Sequence, residues 1–173
     1  MSYARRFRRE NLKAQYNFYS NNLSNFRTVL KDTKGKVARA ENGMYNCMSY
    51  ALGIFNDWLN LDEFTWSDND DAVEEIASWC AIELERNYNC RPLNSHLDHL
   101  KKGERMIAMR IGQDDFHFAR LNSDGVWTHK TGGGTIKVMP EEELLGDCWC
   151  SARMCPYIST VYFFAVKESK KLW

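Results

Sequence analysis

What the sequence lacks narrows it first. It has no charge excess of either sign, since Lys plus Arg and Asp plus Glu both number 23, so no global field draws it to nucleic acid or an anionic surface. The one local bias, Arg5, Arg6, Arg8, Arg9 and Lys13, reads as a solvated helix face. No apolar run approaches the roughly 18–20 residues that cross a bilayer, and the first thirty residues lack the apolar core of a signal peptide. A cytoplasmic protein with no nucleic-acid and no membrane partner is expected. Internal repeats and low-complexity tracts are absent too.

The six cysteines, Cys47, Cys80, Cys90, Cys148, Cys150 and Cys155, come without a secretion signal and are therefore read as thiols rather than disulfides. Cys148, Cys150 and Cys155, with Cys90 or a histidine as a fourth ligand, lack the paired CxxC spacing of a zinc site. No metal and no cofactor is expected. Gly132, Gly133 and Gly134 are followed by neither Lys-Ser nor Lys-Thr, which excludes a phosphate loop.

What is present suits a globular fold: 173 residues, 44% hydrophobic and 13% aromatic, are enough for one domain with a real core. We read residues 1–173 as a single domain in which 1–43 form an N-terminal helical extension and a loop. Leu12, Tyr16, Tyr19, Leu23, Phe26 and Leu30 make a helical stripe over 8–31, and the glycine-bearing 31–43 stretch reads as a connector. From Cys47, the positions Tyr50, Ala51, Ile54, Phe55 and Trp58 recur at spacings of three and four, which predicts a buried helix. Asp71 and Glu74 suggest a capping box for a second helix carrying Val73, Ile76, Ala77, Cys80 and Leu84 inward. His96 and His99 read as one face of a mixed amphipathic helix with Leu93, Leu97 and Leu100.

After Gly103 the pattern turns to strands over 106–111, 116–121, 126–131, 135–139 and 157–166, with a short helix after Pro140. Helices followed by an antiparallel sheet give an α+β fold, N-terminal helices packed on a C-terminal sheet.

One cysteine and two histidines stand out. Asn46 is a good N-cap, so Cys47 would open its helix facing unpaired backbone N–H groups and the positive end of the dipole. That setting, beside an imidazole, lowers a thiol below its usual value of about 8.5 and would make Cys47 the fastest thiol to alkylate. Asn122, Ser123, Asp124 and Gly125 suit a three-residue hairpin loop that pairs Asn122 with Val126. Ala119 then faces His129, with His117 diagonal to it on the same sheet face. This arrangement makes Cys47 a candidate nucleophile, His117 its base and His129 the group that orients His117, with Asp115 and Asp124 as rival orienters. Phe116, Phe118 and Trp127 read as packing on the other face or as pocket walls.

The segment Tyr45-Asn46-Cys47-Met48-Ser49-Tyr50-Ala51-Leu52-Gly53, followed by Asp115-Phe116-His117-Phe118 and a polar residue one strand later, resembles the papain-like NlpC/P60 and CHAP cysteine hydrolases. It is also similar to uncharacterised bacterial and phage proteins with a later hairpin matched here by His117, Arg120, Gly125, Trp127, Lys130 and Gly132. The resemblance spans roughly residues 41–140. It implies a papain-like fold and hydrolysis or transfer at an amide bond through an acyl-thioester, with catalytic Cys47, His117 and His129. Asn46, Tyr50, Arg120 and Trp127 stand as candidate substrate contacts. With no export signal, a protein or peptide substrate fits better than peptidoglycan. The rival from a different class is a phage or bacterial interaction protein that binds and inhibits a host protein.

Overall fold

A computed structural model of the chain describes residues 23–40, 42–131, 135–150 and 157–167. In chain order these hold α1 (Leu23–Asp32), α2 (Lys36–Arg39), a 3₁₀ turn (Asn42–Met44), α3 (Cys47–Leu52), α4 (Asp70–Tyr88), β1 (Arg91–Leu93), β2 (Glu104–Ile111), β3 (Phe116–Leu121), β4 (Trp127–Lys130), β5 (Ile136–Val138), α5 (Glu141–Leu144) and β6 (Tyr162–Lys167). The strands form one sheet in the order β1-β6-β2-β3-β4-β5, with every neighbour antiparallel. The fold is α+β, as expected. The expected stripe over 8–31 is helical from residue 23; its earlier part lies outside the described residues.

Several elements differ from the sequence reading. The connector over 31–43 contains α2 and the 3₁₀ turn. The buried helix from Cys47 is short: Gly53 takes φ 77°, where its N–H reaches the carbonyls of Ser49 and Tyr50, a left-handed C-terminal stop open to glycine. Arg105 fastens the same end by donating to the Ala51 carbonyl at 3.0 Å. Ile54 and Phe55 therefore pack from a loop, and Trp58 is exposed. Asn69, not Asp71, caps α4, accepting from the Asp71 N–H at 3.0 Å, while Glu74 accepts from the Thr160 hydroxyl. Residues 91–93 are an edge strand rather than part of a helix. The following turn is closed by Asp98, which accepts from the Asn94 N–H and the Ser95 hydroxyl. Tyr157 makes isolated bridges with Gly112 and Trp149, apart from β6.

The sheet separates two apolar layers because side chains alternate along a strand. On one face Ile107, Met109 and Ile111 of β2 with Phe116 and Phe118 of β3 pack against Cys47, Met48, Ala51 and the α4 residues Val73, Ile76, Ala77, Cys80 and Leu84. On the other, Ala108 and Ala119 pack with Trp127, Leu144, Trp149, Tyr157 and Phe163. Cys80 is a core residue, as its stripe predicts. Phe116 and Phe118 lie opposite His117, as expected, but Trp127 shares the face of His129.

Candidate active site

The site begins at the Asn46 cap. Its Oδ1 accepts from the Ser49 N–H at 3.0 Å and the Ser49 hydroxyl at 2.9 Å, and its Nδ2 donates to the Leu59 carbonyl at 2.5 Å. Cys47 is thereby fixed as the first residue of α3, where the sequence put it.

The phase of the β2–β3 ladder decides what its sulfur meets. Gly112 N–H donates to the Asp115 carbonyl at 2.8 Å, so the odd-numbered residues of β3 bond toward β2 and the backbone groups of Phe116 and Phe118 aim at β4. The pairing of β4 with β3 covers only Arg120↔Thr128 and Leu121↔Trp127. Cys47 takes the vacant edge: its thiol donates to the Phe116 carbonyl at 3.9 Å, and the N–H groups of Phe118 and Met48 favour its thiolate. The sulfur is therefore held against the two residues that flank His117.

The hairpin forms as read from its turn. Gly125 sits at φ 79°, and the Asn122 N–H donates to the Val126 carbonyl at 3.0 Å. Both histidines fall on one face, with His117 Nε2 and His129 Nδ1 2.8 Å apart. Tyr157 stacks on the His117 ring at 5.2 Å and Trp149 meets it edge-on at 6.0 Å. The Tyr157 hydroxyl donates to Asp115 at 3.1 Å, so Asp115 engages the ring that covers His117. Among the described residues, no hydrogen bond joins Cys47 to His117. The imidazole stands on the opposite side of the sheet from α3.

Burial governs the electrostatics. It pushes the Cys47 thiol up to about 12, Asp115 adds to the rise, and Lys130 opposes it. Burial, then the neighbouring His129, lowers His117 to about 3; burial, then Lys137, lowers His129 to about 4. Both imidazoles are neutral at pH 7 and Cys47 is a thiol. This corrects the expectation of a thiolate below the ordinary range: desolvation outweighs the helix terminus once the sulfur is 5% exposed.

The four expected substrate contacts do other work. Asn46 spends its side chain on the cap. The Tyr50 hydroxyl bonds Thr128 Oγ1 at 2.7 Å within the core. Arg120 is buried with its guanidinium over the Tyr50 ring, and Trp127 packs on Phe163. All four are buried, Asn46 and Tyr50 at α3, Arg120 on the sheet face toward α3 and Trp127 on the other, so none of them opens to a ligand. His96 contacts Glu141 at 3.1 Å, away from the site.

Lys130 was missed as a charge. It is fully buried, with its Nζ 4.7 Å from the centre of the Tyr45 ring, and burial lowers it to about 8 while Cys47 pulls it upward. The signal existed in the register: Thr128 and Lys130 alternate with His129, so they face α3.

A family model described as Domain of unknown function (DUF7689) matches residues 36–146. The chain belongs to this family. In DUF7689 terms, the matched span runs from α2 past α5 and includes Cys47, His117 and His129. No curated protein and no solved structure matches the chain. Among the described residues no helix is long and apolar enough to cross a membrane, and no group of three potential metal ligands occurs.

Proposed function

We propose that the protein is a cysteine-dependent hydrolase or acyltransferase of the papain-like, NlpC/P60-like type, acting on an amide bond of a cytoplasmic protein or peptide. Cys47 is the nucleophile, His117 the base and His129 its orienter. The observation that carries this is the pairing at 2.8 Å of two neutral imidazoles, the half-buried His129 of β4 and the buried His117 of β3, the strand whose backbone holds the Cys47 sulfur. The Nε2···Nδ1 contact needs one N–H and one lone pair. When His117 donates from Nε2, its Nδ1 is left as a base; the opposite tautomer has none.

The Cys47 proton passes to His117 Nδ1 as sulfur attacks the carbonyl carbon, and the imidazolium returns that proton to the departing amine. The thioester is then opened by water, or by an acceptor amine in transfer. His117 and the Cys47 sulfur stand on opposite faces of β3, so this transfer requires the site to rearrange when substrate binds. Lys130 lowers the cost of the thiolate while it exists.

The test is hydrolysis of a panel of peptide coumarinyl amides and thioesters. Cys47→Ala and His117→Ala should each remove activity by about 10³-fold or more, and His129→Ala by less, since an orienter changes ring population rather than supplying the base. Activity that survives Cys47→Ala would overturn the proposal. The non-catalytic host-binding function has its own support in Trp58, Trp66 and Trp79, which are 46%, 67% and 45% exposed, large apolar side chains of the kind enriched at interfaces. A protein inert on the whole panel that captures a protein partner through these tryptophans would favour it.

A further inference from the structure

Cys148 and Cys150 lie outside the family-matched span and outside the proposed chemistry, yet their sulfurs are 3.6 Å apart. Trp149 between them is bridged to Tyr157 through both backbone groups, at 3.0 and 2.8 Å. Alternation in this extended stretch puts the two thiols on one side while the indole turns inward. Cys150 is exposed and Cys148 partly so, which opens the pair to a small oxidant. Arg110 holds the preceding loop: its guanidinium donates to the carbonyls of Gly146 at 2.7 Å and of Asp147, and it interacts electrostatically with Cys148.

We propose that Cys148 and Cys150 are a reversible dithiol–disulfide pair oxidised by peroxides, with Cys148 as the attacking sulfur and Cys150 as the resolving one. The Cys148 thiolate attacks one peroxide oxygen and the O–O bond breaks; with one proton taken up this gives a sulfenic acid and water. The Cys150 sulfur then displaces the sulfenic oxygen, its own thiol proton leaving with that oxygen as a second water, and the S–S bond forms. Two thiols are oxidised and one hydrogen peroxide is reduced to two waters.

Neighbouring groups assign the order. The Cys150 thiol is pushed up chiefly by its hydrogen bond to Cys148, and the Arg110 guanidinium bonds the carbonyl of Asp147, the residue before Cys148. The geometry also sets the bond's character. Two extended residues span about 6.6 Å, near the upper end of the roughly 4.4–6.8 Å between Cα atoms that a disulfide bridges. A bond made there is open to solvent, since Cys150 is exposed, and exposed disulfides are the labile, switching kind. This inference does not depend on the cysteine-hydrolase proposal.

The experiment treats the reduced full chain with hydrogen peroxide and maps thiols and cross-links by mass spectrometry. The expected result is a loss of about 2 Da confined to a Cys148–Cys150 cross-link and reversed by dithiothreitol. In Cys150→Ser, the Cys148 sulfenic acid should accumulate and be trapped by dimedone. In Cys148→Ser, oxidation of Cys150 should slow by about tenfold or more. The map on the unsubstituted chain stands even if a variant folds poorly. A cross-link to Cys155 or to a second chain, or two freely alkylated thiols after peroxide, overturns the proposal.

Discussion

The two faces of the sheet are built from the same strands and respond to opposite extremes of pH. The α3–α4 face buries Cys47, Cys80 and Cys90 among aliphatic and aromatic side chains, and burial first of all pushes each thiol up to about 12. The opposite face buries His117 under Trp149 and Tyr157 and holds the half-buried His129 beside it, and burial lowers both imidazoles. The thiols of one face stay neutral by holding their protons and the imidazoles of the other by refusing them, although Lys130 and Arg110 are buried beside them. On the proposed function, Cys47 and His117 rest uncharged on the two faces, and an ion pair forms only when they are brought together on substrate.

The largest expected effect is on packing. Phe118 is buried on the helix face beside Phe116 at 5.9 Å, so Phe118→Ala should destabilise by about 3–5 kcal/mol. Urea unfolding should show this loss with an unchanged slope. If His117→Ala cost as much, the contrast between a packing face and a chemical face would break.

Titration follows in size. The imidazoles take a proton readily only when unfolded, so their contribution is fully present above the ordinary pH of 6.5 and is lost as pH falls from there toward their folded values of about 3 and 4. The slope is on the order of 1 kcal/mol per pH unit for each histidine. For the thiols the sign reverses: stability is full below about 9 and is lost as pH rises from there toward about 12. Urea midpoints between pH 4 and 10 should fall at both ends. The doubly substituted His117→Asn, His129→Asn chain should flatten only the acid limb, and flattening of both limbs would contradict the separation.

The smallest effect sharpens the comparison within the helix face. Tyr50→Phe removes one bond to Thr128, whose hydroxyl keeps the Asn122 amide at 2.8 Å. The loss should be about 0.5–1.5 kcal/mol by thermal or urea unfolding. A loss above 3 kcal/mol would mean that Tyr50 does more than tie α3 to β4.

Local chemistry was legible in the sequence and tertiary placement was not. Asn46 announced the start of α3 and the Asn122–Gly125 turn fixed the hairpin register, which brought His117 and His129 together, because caps and turns depend on a few adjacent residues. The early stop of α3 was also signalled, by Gly53, but the apolar stripe beyond it imitated a longer helix. The three-residue β1, which carries Pro92, is too short for any periodicity to reveal. Which face of the sheet α3 would cover depends on packing across dozens of residues. Phe116 and Phe118 held the clue, since an apolar face attracts the helix and leaves His117 on the far side. The thiol's protonation failed for the same reason: a cap predicts a dipole, and burial, which overrides it, is a tertiary property.

Covalent capture tests the central claim most directly. The full chain is incubated at neutral pH with a peptide carrying an amide-like electrophile, such as a vinyl sulfone, and every cysteine is mapped by mass spectrometry. The account predicts an adduct on the buried Cys47, slowed by about tenfold or more in His117→Ala and less in His129→Ala, while simple iodoacetamide prefers the more exposed Cys148 and Cys150. Adducts confined to Cys148 and Cys150, or a Cys47 rate indifferent to both histidines, would contradict it and leave Cys47 as a core thiol.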